Sequence, residues 1–269
     1  MGMGAKLAIA LLTVGCATVF AAEVLKPAEQ KDFLKDSRLS FADGVFSCKG
    51  NYAILMSAEI FPVDPSKKYR ISGKFRAKPG TEPAVLYFGY VPHDGKNAAI
   101  ASASVNWFPN TETQLAEPAK AGETVLKVKD ASKWNMKANH GVVAFNVKPD
   151  FSDLPNSDIA DAVPGKIENK GDVWEITLKA PLKKAYEKGT AVRQQTHGGT
   201  YIYNGAAGRK TSDDWQTFSG VISGHAKSGN TAAQWWPGTK AARILIGANY
   251  GAKGKFETEF KDIVVETVD

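Results

Sequence analysis

Large aromatic side chains beside amides and an arginine recur late in the chain. Tyr201 and Tyr203 lie two apart, so a strand carries both rings on one face, with Asn204 and Arg209 beyond. Gln234-Trp235-Trp236 precedes Pro237-Gly238, Asn106-Trp107 falls in the middle of the chain, and Tyr87 and Tyr90 belong to an apolar run. Consecutive strand residues point to opposite faces, so in a strand Trp235 and Trp236 cannot share a core, and the pair predicts one outward ring, Trp236. The same holds for Trp107 and Phe108. Flat aromatic faces suit the apolar C–H side of a pyranose, while amides and guanidinium groups bond its hydroxyls. The expected binding residues are Trp236, Trp107, Tyr201, Tyr203, Asn204, Trp235, Tyr87 and Arg209, and the expected partner is a polysaccharide or glycan. Taken singly, each aromatic also suits a sandwich core.

Other chemistries have weaker support. His93, His140, His197 and His225 are far apart and lack the spacing of a zinc site. Ser57, Ser219 and Ser223 do not stand in a nucleophile elbow, and His197-Gly198-Gly199 is too short for an oxyanion loop. Glu257 and Glu259 share a strand face about 6.6 Å apart, beside each other rather than across a bound sugar. Tyr201, Tyr203, His197 and Arg209 are close in sequence, which keeps a polysaccharide lyase or glycosidase as an alternative.

Charge narrows the partners. The 34 basic and 28 acidic residues give +6, but they are scattered in short pairs such as Lys67-Lys68 and Lys183-Lys184. No arginine-rich helix or basic tail is present, so no nucleic-acid partner is expected. Lys6, the apolar run from Leu7 to Phe20 and Ala21-Ala22 read as a signal peptide over residues 1–21. A lipoprotein reading would instead use Cys16. Cleavage leaves 33 basic residues, a mature charge near +5, and no transmembrane segment. The expected location is secreted, periplasmic or cell-surface. Cys48 then has no partner, so a core without disulfides must hold the fold.

These side chains need β-strands to position them. After a linker or short helix over residues 22–37, the chain runs as short alternating segments broken by Gly, Pro, Asn and Asp, the pattern of an all-β protein. From Tyr69 to Ala77, Tyr69, Ile71, Phe75 and Ala77 share one face, with Arg70, Ser72, Lys74 and Arg76 on the other. Ala84 to Val91 is apolar on both faces, as a central strand or the floor of a groove requires. Ser102 to Phe108 reads as a further strand, and Asp150 to Asp161 as an exposed, mobile acidic loop.

The outer parts resemble the jelly-roll sandwich of carbohydrate-binding modules and galactose-binding-like domains. The residues that carry this are Lys68 to Gly80, Asp214 to Gly224 and Ala242 to Glu266, with Asp262 before Ile263-Val264-Val265. The middle is similar to small β modules of bacterial surface and phage-tail proteins, through Thr113, Leu115, Ala121-Gly122, Thr124, Leu126 and Val128. Ile176-Thr177-Leu178, Pro181-Leu182, Gly189-Thr190 and Val192 complete that pattern. Together they imply an all-β fold, a jelly-roll β-sandwich over residues 38–109 and 197–269 with an inserted small β-domain over 110–196. Related jelly rolls imply a structural calcium, for which Asp43 and Asp262 are the candidate ligands; solvated turn carboxylates are the other reading. The function implied is non-catalytic glycan binding, with a self-assembling structural subunit of a surface or extracellular assembly as the alternative.

Overall fold

The computed structural model describes residues 21–199, 201–229 and 231–269. The expected signal peptide lies outside these residues except for Ala21. The early strands are β1 (Ala22–Leu25), β2 (Leu39–Ala42), β3 (Val45–Lys49), β4 (Ala53–Met56), β5 (Phe61–Pro62), β6 (Lys68–Ala77) and β7 (Val85–His93). Next come β8 (Thr113–Gln114), β9 (Val125–Val128), β10 (Gly141–Phe145), β11 (Ile159–Asn169), β12 (Trp174–Leu178) and β13 (Ala191–Thr196). The chain closes with β14 (Ile202–Lys210), β15 (Gln216–Ile222), β16 (Ala241–Tyr250) and β17 (Glu257–Val268).

The chain is an all-β sandwich with antiparallel pairing throughout its ladders. One sheet runs β15-β6-β17-β3-β2, with β1 also on β17, and the facing sheet runs β14-β7-β16-β4, with β5 also on β16. The alternation in β6 appears as read: Tyr69, Ile71, Phe75 and Ala77 are buried, while Arg70 and Lys74 are exposed. β7, apolar on both faces, lies between β14 and β16. Phe33, Phe46, Phe75, Phe88 and Phe260 form the aromatic centre between the sheets, with Phe46 stacked on Phe260 at 5.1 Å. Each such ring stabilises the fold by roughly 1.5–3 kcal/mol through burial.

A third sheet, β8-β13-β10-β11-β12-β9, draws all its strands from residues 113–196. It has its own buried cluster, including Leu126, Val143, Phe145, Ile176 and Val192.

Three local expectations need correction. Residues 22–37 are not merely a linker or helix: Ala22–Leu25 pairs antiparallel with the end of β17, and only Gln30–Asp32 is helical, as a 3-10 turn. Ser102 to Phe108 is not a strand, because Ser102–Ser104 forms a second 3-10 turn. The acidic loop is anchored and partly enclosed rather than simply exposed. Asn156 is buried and its N–H donates to the Ser104 carbonyl at 2.8 Å. Asp153 accepts from Arg193 at 2.8 Å, and both side chains are almost fully enclosed.

Candidate functional site

The two tryptophans that pointed to an exposed ring are both sealed in the sandwich core, at 0% and 1% exposure for Trp235 and Trp236. Strand alternation does not apply here, because residues 231–240 are irregular, with one parallel bridge between Trp235 and His225. Main-chain bonds from Trp235 N–H to the Gly224 carbonyl and from Ala226 N–H to the Trp235 carbonyl clamp the segment. Freed from strand alternation, both indoles turn inward; that of Trp235 packs against Tyr69 and Tyr90, at 5.7 and 4.9 Å between ring centres. Tyr90, on the inner face of β7, is buried as well.

Trp107 is also committed elsewhere. Its ring stacks on Phe151 at 4.2 Å and its Nε1–H donates to the Lys227 carbonyl at 2.9 Å. Asn204 acts as a staple: its Nδ2 donates to the carbonyls of Val221 and Ala232, at 3.0 and 2.6 Å. This ties the edge strand β14 to β15 and to the loop after it. Arg209 is exposed and lines a polar groove between those two edge strands, with Tyr203, Gln216, Thr217 and Ser219.

The other predicted residues do converge. Tyr87, Tyr201 and Tyr203 lie on the outer face of the β14-β7-β16-β4 sheet, where Tyr52 and Tyr250 join them. Ring centres are 4.7 Å apart for Tyr87–Tyr203, 5.2 Å for Tyr87–Tyr250, 5.1 Å for Tyr52–Tyr250 and 6.2 Å for Tyr201–Tyr203. Four of the rings are part-buried and Tyr250 is 49% exposed; Ile54, on the same face, is 38% exposed.

Local backbone features aim these rings. Tyr87 pairs with Gly247, and Val85 with Tyr250, so two steps along β7 match three along β16. The extra residue is a bulge at Asn249, whose φ is +59°. Without it, Tyr250 would face inward. Asn249 is held by buried bonds, donating to the Cys48 carbonyl at 3.0 Å and accepting from the Thr258 hydroxyl at 2.7 Å. Gly89 lets β14 approach: a Cβ there would lie 1.9 Å from the Ile202 carbonyl oxygen.

Three of these phenols are shifted upward. Burial first, and then the neighbouring Tyr52, Tyr201, Tyr87 and Tyr250, push the Tyr203 phenol up to about 12. Burial raises Tyr52 and Tyr201 as well. These three phenols are therefore neutral hydrogen-bonding groups at ordinary pH.

The opposite sheet offers no such surface. Its outer face is a ladder of cross-strand ion pairs, Arg76–Glu259 at 2.7 Å, Arg70–Glu266 at 2.7 Å and Lys78–Glu257 at 2.7 Å. Trp215 lies between Arg76 and Lys261. Glu257 and Glu259 are thus spent in ion pairs rather than free for acid–base work, and His197 is paired with Asp161 at 3.1 Å.

The calcium ligands do not fit their role. Asp262 is a left-handed bulge residue whose carboxylate lies 3.0 Å from Lys74 Nζ, and Asp43 is an exposed left-handed turn residue between β2 and β3. Calcium takes six to eight oxygens. Among the described residues, no group of three or more His, Cys, Asp or Glu side chains is gathered for a metal. Also among them, no helix is long and apolar enough to cross a membrane.

Fold and face together define an all-β sandwich with an open, tyrosine-lined sheet. No protein-family model matches the chain, and no curated protein is significantly similar to it. Among solved structures, it is similar to the CBM22-1 xylan-binding domain of Xyn10C from Paenibacillus barcinonensis. Identity is 9% and the TM-score 0.31, over 92% of this chain and 93% of that one.

Proposed function

We propose that the protein is a secreted, periplasmic or surface-exposed carbohydrate-binding protein that recognises a glycan without covalent chemistry. One observation carries this reading: Tyr52, Tyr87, Tyr201, Tyr203 and Tyr250 gather from four places in the chain onto one open sheet face. Burying aromatic rings is the cheaper arrangement for a sandwich, so five partly wetted rings on one face favour a ligand that covers them. Their faces suit pyranose C–H groups and their hydroxyls suit sugar hydroxyls. The polar groove with Arg209 and Gln216 adjoins Tyr203 and supplies further hydrogen-bonding groups at the rim.

A glycan array tests the reading. The wild-type protein is expected to bind a restricted set of glycans, and Tyr203→Ala to weaken that same set. A wild-type protein that binds none, or a variant with an unchanged profile, would remove the proposal.

A further inference from the structure

Resting on the glycan reading above, we infer that the groove at the open edge of the sandwich takes an acidic sugar of the bound glycan, with Arg209 recognising its carboxylate. The state of the arginines carries this. Five of the six, Arg38, Arg70, Arg76, Arg193 and Arg243, hold a carboxylate or a main-chain carbonyl within the chain. Among the described residues, Arg209 is the one arginine whose guanidinium has no hydrogen-bond or ion-pair partner. A guanidinium is always charged, and its rigid fork of N–H donors matches the two oxygens of a carboxylate.

Arg209 belongs to β14, the edge strand of one sheet, and lines a groove of about 610 Å³ between it and β15, the edge strand of the other. The other polar side chains there, Gln216, Thr217 and Ser219 among them, are amides and hydroxyls. No carboxylate lines the groove among the described residues, and Asp213 and Asp214, in the turn from β14 to β15, lie outside its lining. Tyr203 borders both the groove and the tyrosine face. A bulge brings Arg209 to this border: Ala207 pairs with Tyr87 and Arg209 with Leu86, so two steps along β14 match one along β7. The extra residue, Gly208, has a φ of +66°, and a Cβ there would lie 3.5 Å from the Tyr87 hydroxyl oxygen. A sugar resting on Tyr87 or Tyr203 therefore has an unpaired guanidinium beside it, and a carboxylate is the substituent that answers both its charge and its fork.

The experiment uses matched pairs: hexagalacturonate, hexamannuronate and glucuronate-substituted xylohexaose, each beside its carboxyl-reduced form, which keeps the backbone and loses the charge. Calorimetry uses the full chain and the variants Arg209→Gln and Arg209→Lys. In at least one pair the acidic member is expected to bind about tenfold tighter at low salt. That gap should shrink as sodium chloride is raised. Arg209→Gln is expected to close the gap, and Arg209→Lys, a point charge without the fork, to keep only part of it. Arg209 is exposed at a sheet edge, so both variants are expected to melt as the wild type does. Hexaglutamate, added as a competitor, is expected to leave the acidic hexamer bound. Equal affinity within every pair, a gap that survives Arg209→Gln, or displacement by hexaglutamate at equal concentration would overturn this inference and leave the glycan reading standing. No binding of any glycan, acidic or neutral, would overturn both.

Discussion

The rings of Tyr87 and Tyr250 meet edge to face, 5.2 Å apart and at 85°, although the residues belong to adjacent strands whose plain pairing would put Tyr250 in the core. The left-handed backbone of Asn249 makes that contact. The tyrosine face therefore depends on one buried asparagine.

Asn249→Ala removes two buried side-chain bonds and places a Cβ-bearing residue with no local hydrogen bond in the left-handed region. It is expected to destabilise the fold by about 2–4 kcal/mol in urea denaturation. Asn249→Gly relieves the backbone part and recovers about 1 kcal/mol. Equal stability of the two variants would show that the bulge carries no strain.

Trp236→Ala and Tyr250→Ala separate core from surface. The buried indole is expected to cost about 3–5 kcal/mol, because its removal leaves a cavity between the sheets. The half-exposed phenol costs less than about 1 kcal/mol. Thermal unfolding of both variants measures this, and a wild-type melting temperature for Trp236→Ala would contradict the burial found here.

Arg193 and Asp153 form an enclosed pair, with Arg193 also over the Phe151 ring at 4.9 Å. Asp153→Ala leaves an uncompensated buried charge and is expected to cost about 3–5 kcal/mol. The same change should release the segment around Phe151, so limited proteolysis is expected to cut there in the variant and not in the wild type. Equal cleavage would restore the mobile-loop expectation.

Alkaline pH should weaken the fold by a defined route. Burial pushes the Cys48 thiol up to about 12, and burial with four neighbouring tyrosines puts the Tyr203 phenol at about 12. In the unfolded chain these groups titrate near 8.5 and 10. Folded values raised above unfolded ones give stability that is complete below the unfolded values and is lost as pH rises toward 12. Urea midpoints are expected to fall from about pH 9 upward, and Cys48 to resist thiol reagents until the protein unfolds. A midpoint that stays constant to pH 12 would contradict this.

Much of the sandwich was legible, because where pairing is regular, period-two alternation maps directly onto burial, as in β6. Tyr201 and Tyr203 were legible from their spacing of two, although Tyr201 precedes β14 and the β14–β7 register shifts between Ile202 and Ala206. Tyr52 and Tyr250 were not: 198 positions separate them in the sequence, and the bulge at Asn249 reverses the parity from which Tyr250 would be read. A left-handed Asn just before Tyr250-Gly251 was the available signal. Trp235 and Trp236 misled because alternation was applied to an irregular segment, and Trp107 because its partner Phe151 lies in a loop read as exposed.

Glycan binding is expected to depend on the tyrosine face. Calorimetry with a glycan bound by the wild type, repeated on Tyr87→Ala/Tyr203→Ala with its unfolding curve recorded, tests it most directly. A folded double variant with affinity lowered by about tenfold or more is expected. A folded double variant that binds the glycan as tightly as the wild type would contradict it.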